Sequence, residues 1–294
     1  MILSDTTWLQ VENTTKCNAW CPGCGRNQNG FGLNPNIQIE DLDSVRFQEV
    51  LAKLPKLDTV QFSGTYGDFA AATNVDQHLE LALSYANKIQ IHTHGGIRSP
   101  DWWSNIARRL QNIDHNVWFA LDGLKGTHEI YRQGTNFDKT MANAQAFIAA
   151  GGHATWQFIP WAHNEHQIVE CMKLSQKLGF KKFKLVTGVR ENFNAKHWRT
   201  GQPIEIKPWS KSIQTNTYHL NPARDTLKTS DCRHLAKSTA YLNANGRVSA
   251  CCYLNVFRTA DQNDVLQDIE SEILSKPHPL CLTHCGNGVK LIHQ

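Results

Sequence analysis

Through its first two-thirds the chain alternates short apolar runs of strand character with longer stretches of helical spacing. That alternation constrains the fold more than any other feature. The runs Thr7–Val11, Thr59–Ser63, Lys88–Thr93, Val117–Leu121, Thr155–Pro160 and Phe183–Thr187 read as strands. Helices are expected around Asp43–Leu54, Asp76–Ala86, Pro100–Leu110, Asp138–Ala150 and Glu165–Leu178. In the last of these, Ile168, Cys171, Met172 and Leu178 share an apolar face, and Gly179 follows as a C-terminal cap. The pattern predicts an α/β fold with a parallel sheet and right-handed crossovers. Periodicity alone does not separate a flat, doubly wound sheet from a barrel. In both, ligands gather beyond the carboxyl ends of the strands, and the informative polar residues fall there: Ser63 to Asp68, His94-Gly95-Gly96, Asp122-Gly123 and His163-Asn164-Glu165.

The first strand runs into Cys17-Asn-Ala-Trp-Cys21-Pro-Gly-Cys24, three thiols at C-x3-C-x2-C spacing in one loop. Three ligands are one short of a closed tetrahedral site, and zinc sites pair their thiols and draw a second pair from elsewhere. A 4Fe–4S cluster on Cys17, Cys21 and Cys24 keeps one iron open to a non-protein ligand. The chain has nine cysteines, and Met1 to Lys16 shows neither a basic nor an apolar export signal. A reducing, cytoplasmic setting follows, where thiols serve metals rather than disulfides. No apolar run approaches the roughly 18 residues of a membrane span, so no membrane role is expected. The net charge of +4 is dispersed. Its one basic knot, Lys181, Lys182 and Lys184, reads as a solvated strand edge, and the basic stripe of a nucleic-acid binder is missing.

From about Gly201 to Asn221 the pattern gives way to Pro- and polar-rich sequence, read as a linker. Beyond it, Ser238–Leu242 and Arg247–Leu254 are β-like and joined through Asn245-Gly246, a hairpin signal. Asp264–Leu274 follows as an amphipathic helix, with Val265, Ile269 and Ile273 on one face. Cys232, Gly246 and Cys251 are spaced C-x13-G-x4-C, and Cys281 and Cys285 C-x3-C. These four thiols can close a tetrahedral site around zinc or an iron–sulfur cluster. Of the two remaining cysteines, Cys171 reads as a small core residue. Cys252 adjoins a ligand position and points to the opposite strand face.

The cysteine loop and its place after the first strand resemble the radical S-adenosylmethionine (radical SAM) superfamily. The resemblance implies a partial (β/α)6 TIM-like barrel over residues 1–205, a linker over 206–228 and a small hairpin-plus-helix domain over 229–294. It implies that the open iron of the cluster on Cys17, Cys21 and Cys24 chelates the amino and carboxylate groups of SAM. The turn Ser63, Gly64, Thr65, Tyr66, Gly67 and Asp68 is assigned to the SAM amino group. It stands where the family usually has Gly-Gly-Glu-Pro. Thr93 and His94 resemble the turn after the third strand and Asp122 the one after the fourth, while Gln157 and Asn164 take ribose positions on and after the fifth. Gly23 occupies the usual aromatic position before the third cysteine; it keeps the backbone contact to adenine and leaves shielding to Trp20. Trp156 and Trp161 bracket strand five, as core residues or as walls of a substrate site. The C-terminal cysteines resemble the twitch domain, a shortened SPASM domain, which implies one auxiliary 4Fe–4S cluster on Cys232, Cys251, Cys281 and Cys285.

The expected activity is reductive cleavage of SAM to a 5′-deoxyadenosyl radical that abstracts a substrate hydrogen. A four-thiolate auxiliary cluster suits acceptance of the second electron, so the expected outcome is a two-electron oxidation of a small molecule. A flavodoxin or ferredoxin is the expected electron donor. The alternatives are a redox-neutral epimerase with Cys252 as hydrogen donor and a peptide-modifying enzyme. Too few residues precede Cys17 for a fused leader-peptide-binding domain, which favours the small molecule. An alternative of another class is a non-enzymatic iron–sulfur or zinc binding module.

Overall fold

The computed structural model describes residues 5–28, 30–187, 193–210 and 238–249. Strands and helices alternate as β1 (Trp8–Val11), α1 (Ser44–Ala52), β2 (Thr59–Phe62), α2 (Val75–Tyr85), β3 (Lys88–Thr93), α3 (Pro100–Leu110) and β4 (Asp114–Ala120). There follow α4 (His128–Tyr131), α5 (Phe137–Ala149), β5 (Ala154–Phe158), α6 (Ile168–Lys177) and β6 (Lys182–Leu185). Strands β1 to β6 lie side by side in chain order, each parallel to the next. The helices begin where the sequence supplies caps. Asp43 accepts from the Arg46 amide, Ser99 from Trp102 with Pro100 opening the helix, and Asn136 from Lys139.

Alternation along the strands separates the two faces of the sheet. Leu9, Val11, Val60, Phe62, Ile89, Ile91, Val117, Phe119, Trp156 and Phe158 are buried in the main core with the helices. Gln10, Gln61, Gln90, His92, Asn116, Trp118 and Gln157 alternate with them and are half-buried on the other face. Cys171 is fully buried in the main core, as its helical position predicts. Trp156 is a core residue too, its indole N–H donating to the Leu121 carbonyl at 2.8 Å. Lys182 and Lys184 are exposed, and Phe183 and Leu185 between them pack on the core.

Besides the short helix α4, which the sequence reading did not include, two features differ from it. The sheet has eight strands rather than six, in the order β10-β9-β1-β2-β3-β4-β5-β6. The hairpin is present as β9 (Thr239–Leu242) and β10 (Val248–Ser249), turned through Gly246 at φ 79°. It continues the sheet: β9 pairs in parallel with β1, Trp8 opposite Thr239 through Val11 opposite Leu242. The physical reason is the edge of β1, whose peptide groups would otherwise stay unpaired on the side away from β2. The Arg46 guanidinium fastens the turn by donating to the Gly246 carbonyl at 3.0 Å.

The second difference is an antiparallel pair, β7 (Phe193–Lys196) and β8 (Pro203–Ile206). Strand β8 occupies part of the stretch expected to be linker. Its alternating Ile204 and Ile206 find apolar partners in a small second core with Ala19, Cys21, Tyr131, Trp161 and Ala195. The helix predicted at Asp264–Leu274 lies outside the described residues.

Trp103 is fully buried at the centre of the main core, edge-on to Phe119 and Phe147, and its indole N–H donates to the Ile97 carbonyl. Trp103→Ala removes the largest of the buried side chains of α3. It is expected to cost about 3–5 kcal/mol of stability, read by denaturant unfolding of the metal-free protein.

Candidate metal and cofactor site

Past the ends of β1 and β2 the two chains run on together. The Ser63 amide donates to the Val11 carbonyl (3.1 Å), the Asp68 amide to the Lys16 carbonyl (2.9 Å) and the Asn13 side chain to the Phe69 carbonyl (3.1 Å). Between these bonds Gly67 lies directly against backbone. A Cβ on it would fall 1.8 Å from the Thr14 carbonyl oxygen and 3.0 Å from the Thr15 Cα. The close approach that glycine permits at this position is therefore to the segment entering the cysteine loop. Glu12, the first residue after β1, is 6% exposed, and its carboxylate accepts from the amides of Tyr66 (2.6 Å) and Gly67 (3.3 Å). Burial pushes its pKa up to about 7, against the opposing pull of those backbone amides.

The cysteine loop is tied at both ends. The Arg26 guanidinium donates back to the Thr15 carbonyl (3.0 Å), and the Cys24 amide donates to the Cys21 carbonyl (3.1 Å). All three thiols are free, Cys21 buried and Cys17 and Cys24 partly so. Burial raises the pKa of each, that of Cys21 to about 11 even with the Arg132 cation opposing. Thiolates here therefore call for compensating positive charge, which a metal centre provides. Among the described residues no three His, Cys, Asp or Glu side chains converge as one metal ion requires. A cluster asks for something else, because each thiolate binds a different iron. The donor set of Cys17, Cys21 and Cys24 fits a cluster on that ground.

The other predicted residues gather beyond the same ends of the strands. The Asp68 carboxylate is held by the protein: it accepts from the Thr93 hydroxyl (2.9 and 3.0 Å), the His94 amide (2.8 Å) and the Ala70 amide (3.0 Å). The His94 ring Nε2 lies 3.7 Å from it, and burial, the largest effect, lowers the His94 pKa. Asp122, fully buried, is ion-paired with Arg132 (2.6 Å) and accepts from the Ile159 amide (2.6 Å). Asn164 joins the ends of β4 and β5, donating to the Asp122 and Ile159 carbonyls and accepting from the Trp161 amide. Gln157 hydrogen-bonds His92, whose ring stacks on Trp118. The Ser63 carbonyl accepts from Gln10, Gly64 packs close to the Glu12 carboxylate, and Gly23 is exposed in the cysteine loop. Cys232, Cys251, Cys252, Cys281 and Cys285 lie outside the described residues.

Three contributors escaped the sequence reading. Glu12 continues the polar alternation of β1 after Gln10, a signal that could have marked it. Arg132 reaches the site from α4, its guanidinium 3.8 Å from the Cys21 sulfur and over the Tyr131 ring. Nothing local announces it. Trp198, after β7, stacks on Trp20 of the cysteine loop at 6.3 Å, and its amide donates to Gln133. Trp161 packs against Tyr131 beside the same loop.

No family model and no curated protein matches this sequence. Among solved structures the chain is similar to Streptococcus suis SuiB bound to S-adenosylmethionine. The two are 13% identical over 94% of this chain and 67% of that one, with a TM-score of 0.62. SuiB bound to its precursor peptide SuiA matches at 14% identity over 92% of this chain and 65% of that one, TM-score 0.59. The chain also matches anSMEcpe with bound AdoMet at 14% identity and a TM-score of 0.48, over 66% of this chain. It spans about half the length of anSMEcpe, 55%. The likeness is one of architecture: the chain has the radical SAM fold, a mostly parallel α/β sheet consistent with a partial TIM-like barrel.

Two measurements probe this site. Gly67→Ala is expected to cost about 1–3 kcal/mol or more through the clash with Thr14, and to lower iron uptake with it. Glu12 binds its proton up to about pH 7 in the folded chain and only to about 4.5 when unfolded. Between those values the folded state holds more protons, so its contribution to stability is full below 4.5 and falls as pH rises towards 7. Denaturant unfolding of the metal-free protein across that window is expected to show the decline, and Glu12→Gln to flatten it.

Proposed function

We propose that this chain is a radical SAM enzyme, with Cys17, Cys21 and Cys24 holding a 4Fe–4S cluster whose fourth iron takes SAM. The observation that carries the reading is the three free thiols, Cys21 buried and Cys17 and Cys24 partly so, in one loop locked to the turn after β2. The radical SAM fold shared with SuiB supports it. When bound and reduced, such a cluster supplies the electron that cleaves the SAM sulfonium into methionine and a 5′-deoxyadenosyl radical. The protein's part is placement and exclusion. Arg132 sets a cation beside the Cys21 thiolate, and Asp122 holds that cation in position. Strands β7 and β8 pack Ala195, Ile204 and Ile206 over the cysteine loop and keep water from that side. The Asp68–Thr93–His94 bonds make the neighbouring turns rigid, so the ligand meets a preformed surface.

In our reading the reaction is a two-electron oxidation of a small molecule. The substrate would give a C–H hydrogen to the adenosyl carbon and then one electron; Cys232, Cys251, Cys281 and Cys285 would hold an auxiliary 4Fe–4S cluster, which would supply an acceptor for that electron. The proton is lost to solvent, and a flavodoxin or ferredoxin supplies the first electron. A peptide substrate is the second reading, supported by the likeness to SuiB bound to a precursor peptide.

The test is anaerobic reconstitution with iron and sulfide, then reduction in the presence of SAM. The wild-type protein is expected to release 5′-deoxyadenosine. Changing Cys17, Cys21 and Cys24 together to Ala should remove about half of the iron and sulfide and all SAM cleavage. Changing the four C-terminal cysteines should remove the other half and leave SAM cleavage in place. Wild-type protein that holds a cluster but never cleaves SAM would overturn the proposal, and zinc alone at the C-terminal four would remove the auxiliary cluster from it.

A further inference from the structure

Arg132 enters the site from a short segment whose backbone is fixed on all sides. Its amide closes α4 by donating to the His128 carbonyl at 3.0 Å. The fully buried His128 ring accepts from the Asp122 amide at Nδ1 (3.1 Å), so its Nε2 carries the proton and meets the Thr135 hydroxyl at 3.0 Å. That hydroxyl in turn donates to the Arg132 carbonyl at 2.6 Å. The next residues lie directly on the cysteine loop. The Gln133 carbonyl accepts from the Trp20 amide (2.7 Å), and a Cβ on Gly134 would fall 2.8 Å from the Asn18 carbonyl oxygen.

The side chain is held as firmly as the backbone. It is 14% exposed, with Nε 2.6 Å from the buried Asp122 carboxylate and Nη1 3.8 Å from the Cys21 sulfur. The Asp122 carboxylate is itself fixed by the Ile159 amide (2.6 Å). One guanidinium thus bonds a cysteine sulfur with one nitrogen and a carboxylate with another. Arg26, the guanidinium within the loop, donates instead to the Thr15 carbonyl and the Asn27 side chain.

Reduction adds a negative charge to an iron–sulfur centre, so a nearby cation favours the reduced form and a nearby anion opposes it. Burial keeps water from screening either effect. We infer that Arg132 and Asp122 act as a signed pair that sets the reduction potential of the cluster held by Cys21: the guanidinium raises it and the carboxylate limits the rise. The inference rests on the cluster reading above and deepens it by naming the residues that tune how readily the cluster is reduced.

Anaerobic potentiometric titration of the reconstituted full chain, without SAM and followed by electron paramagnetic resonance, tests it. The signal followed is the one that changing Cys17, Cys21 and Cys24 to Ala removes. In Arg132→Gln the ratio of reduced to oxidised cluster at the wild-type midpoint is expected to fall about tenfold, a shift of about 59 mV to lower potential. Arg132→Lys keeps the charge and is expected to recover most of that shift. Asp122→Asn keeps an oxygen for the Ile159 amide and is expected to move the midpoint the other way. Loosened packing would not drive two bonded neighbours in opposite directions. An unchanged midpoint in Arg132→Gln, or shifts of one sign in both variants, overturns the inference. Should one of the two hold no cluster, the direction of the other decides; loss of the cluster from both would make the pair structural and overturn it as well. Wild-type protein that takes up no cluster on the three cysteines would instead refute the reading beneath the inference.

Discussion

The site depends on the contact between Gly67 and the backbone of Thr14 and Thr15. Two strand ends run past one another there with no side chain between them, because an added Cβ would lie inside the Thr14 carbonyl. The Asp68–Lys16 and Asn13–Phe69 bonds close on either side of the contact. Closed up in this way, the turn after β2 and the entrance to the cysteine loop behave as one piece. A loop of eight residues with three thiols has little intrinsic structure. Its geometry is borrowed from the turn it is pressed against, and through that turn from the parallel sheet.

Electrostatics follow from the same packing. Excluding water from the strand ends leaves acids, thiols and a guanidinium in a poorly solvated region, where each charge needs a partner. Asp122 and Arg132 satisfy one another, and Arg132 still reaches the Cys21 sulfur. Asp68 is satisfied by donors on the next turn. Arg132 acts on Cys21, and Arg132 and Arg26 on Cys24, yet burial outweighs these cations and the pKa values of Glu12 and the three thiols are raised. Added positive charge would stabilise such a region, as the proposed cluster would bring.

Strands β7 and β8 add a cover. Ala195 and Ile206 are buried against the cysteine loop, and Trp198 stacks on Trp20. The Trp161–Pro208 bridge ties the outgoing chain to the turn after β5. The apolar side of the loop is thereby enclosed, while its other side faces the ring of polar turns. The proposed radical chemistry would call for that asymmetry: one face closed to solvent and one preformed for ligand.

Much of this was legible in the sequence, because the signals are local. Six strands and five helices followed from apolar periodicity within a residue or two at most ends, and strand–helix alternation implied the parallel sheet. The thiol spacing identified the loop, and the polar turns fell at the strand ends where such folds bind ligands. What the sequence could not assign depends on contacts between distant segments. The apolar alternation of Pro203–Ile206 is too short to stand out, and it becomes a strand only because Cys21, Tyr131 and Trp161 offer it a surface. Strand β9 joins β1 because that edge is open. Asp68 reads as a ligand residue and is also bonded by Thr93 and His94, whereas Arg132, which no local motif announces, reaches the Cys21 sulfur only through packing of the segment after α4. Residue order determines which groups are available and which segments are strands. Tertiary packing alone decides which buried charges find partners within the protein and which are left for a ligand, because pairing is a matter of distance in space and burial is a property of the whole fold.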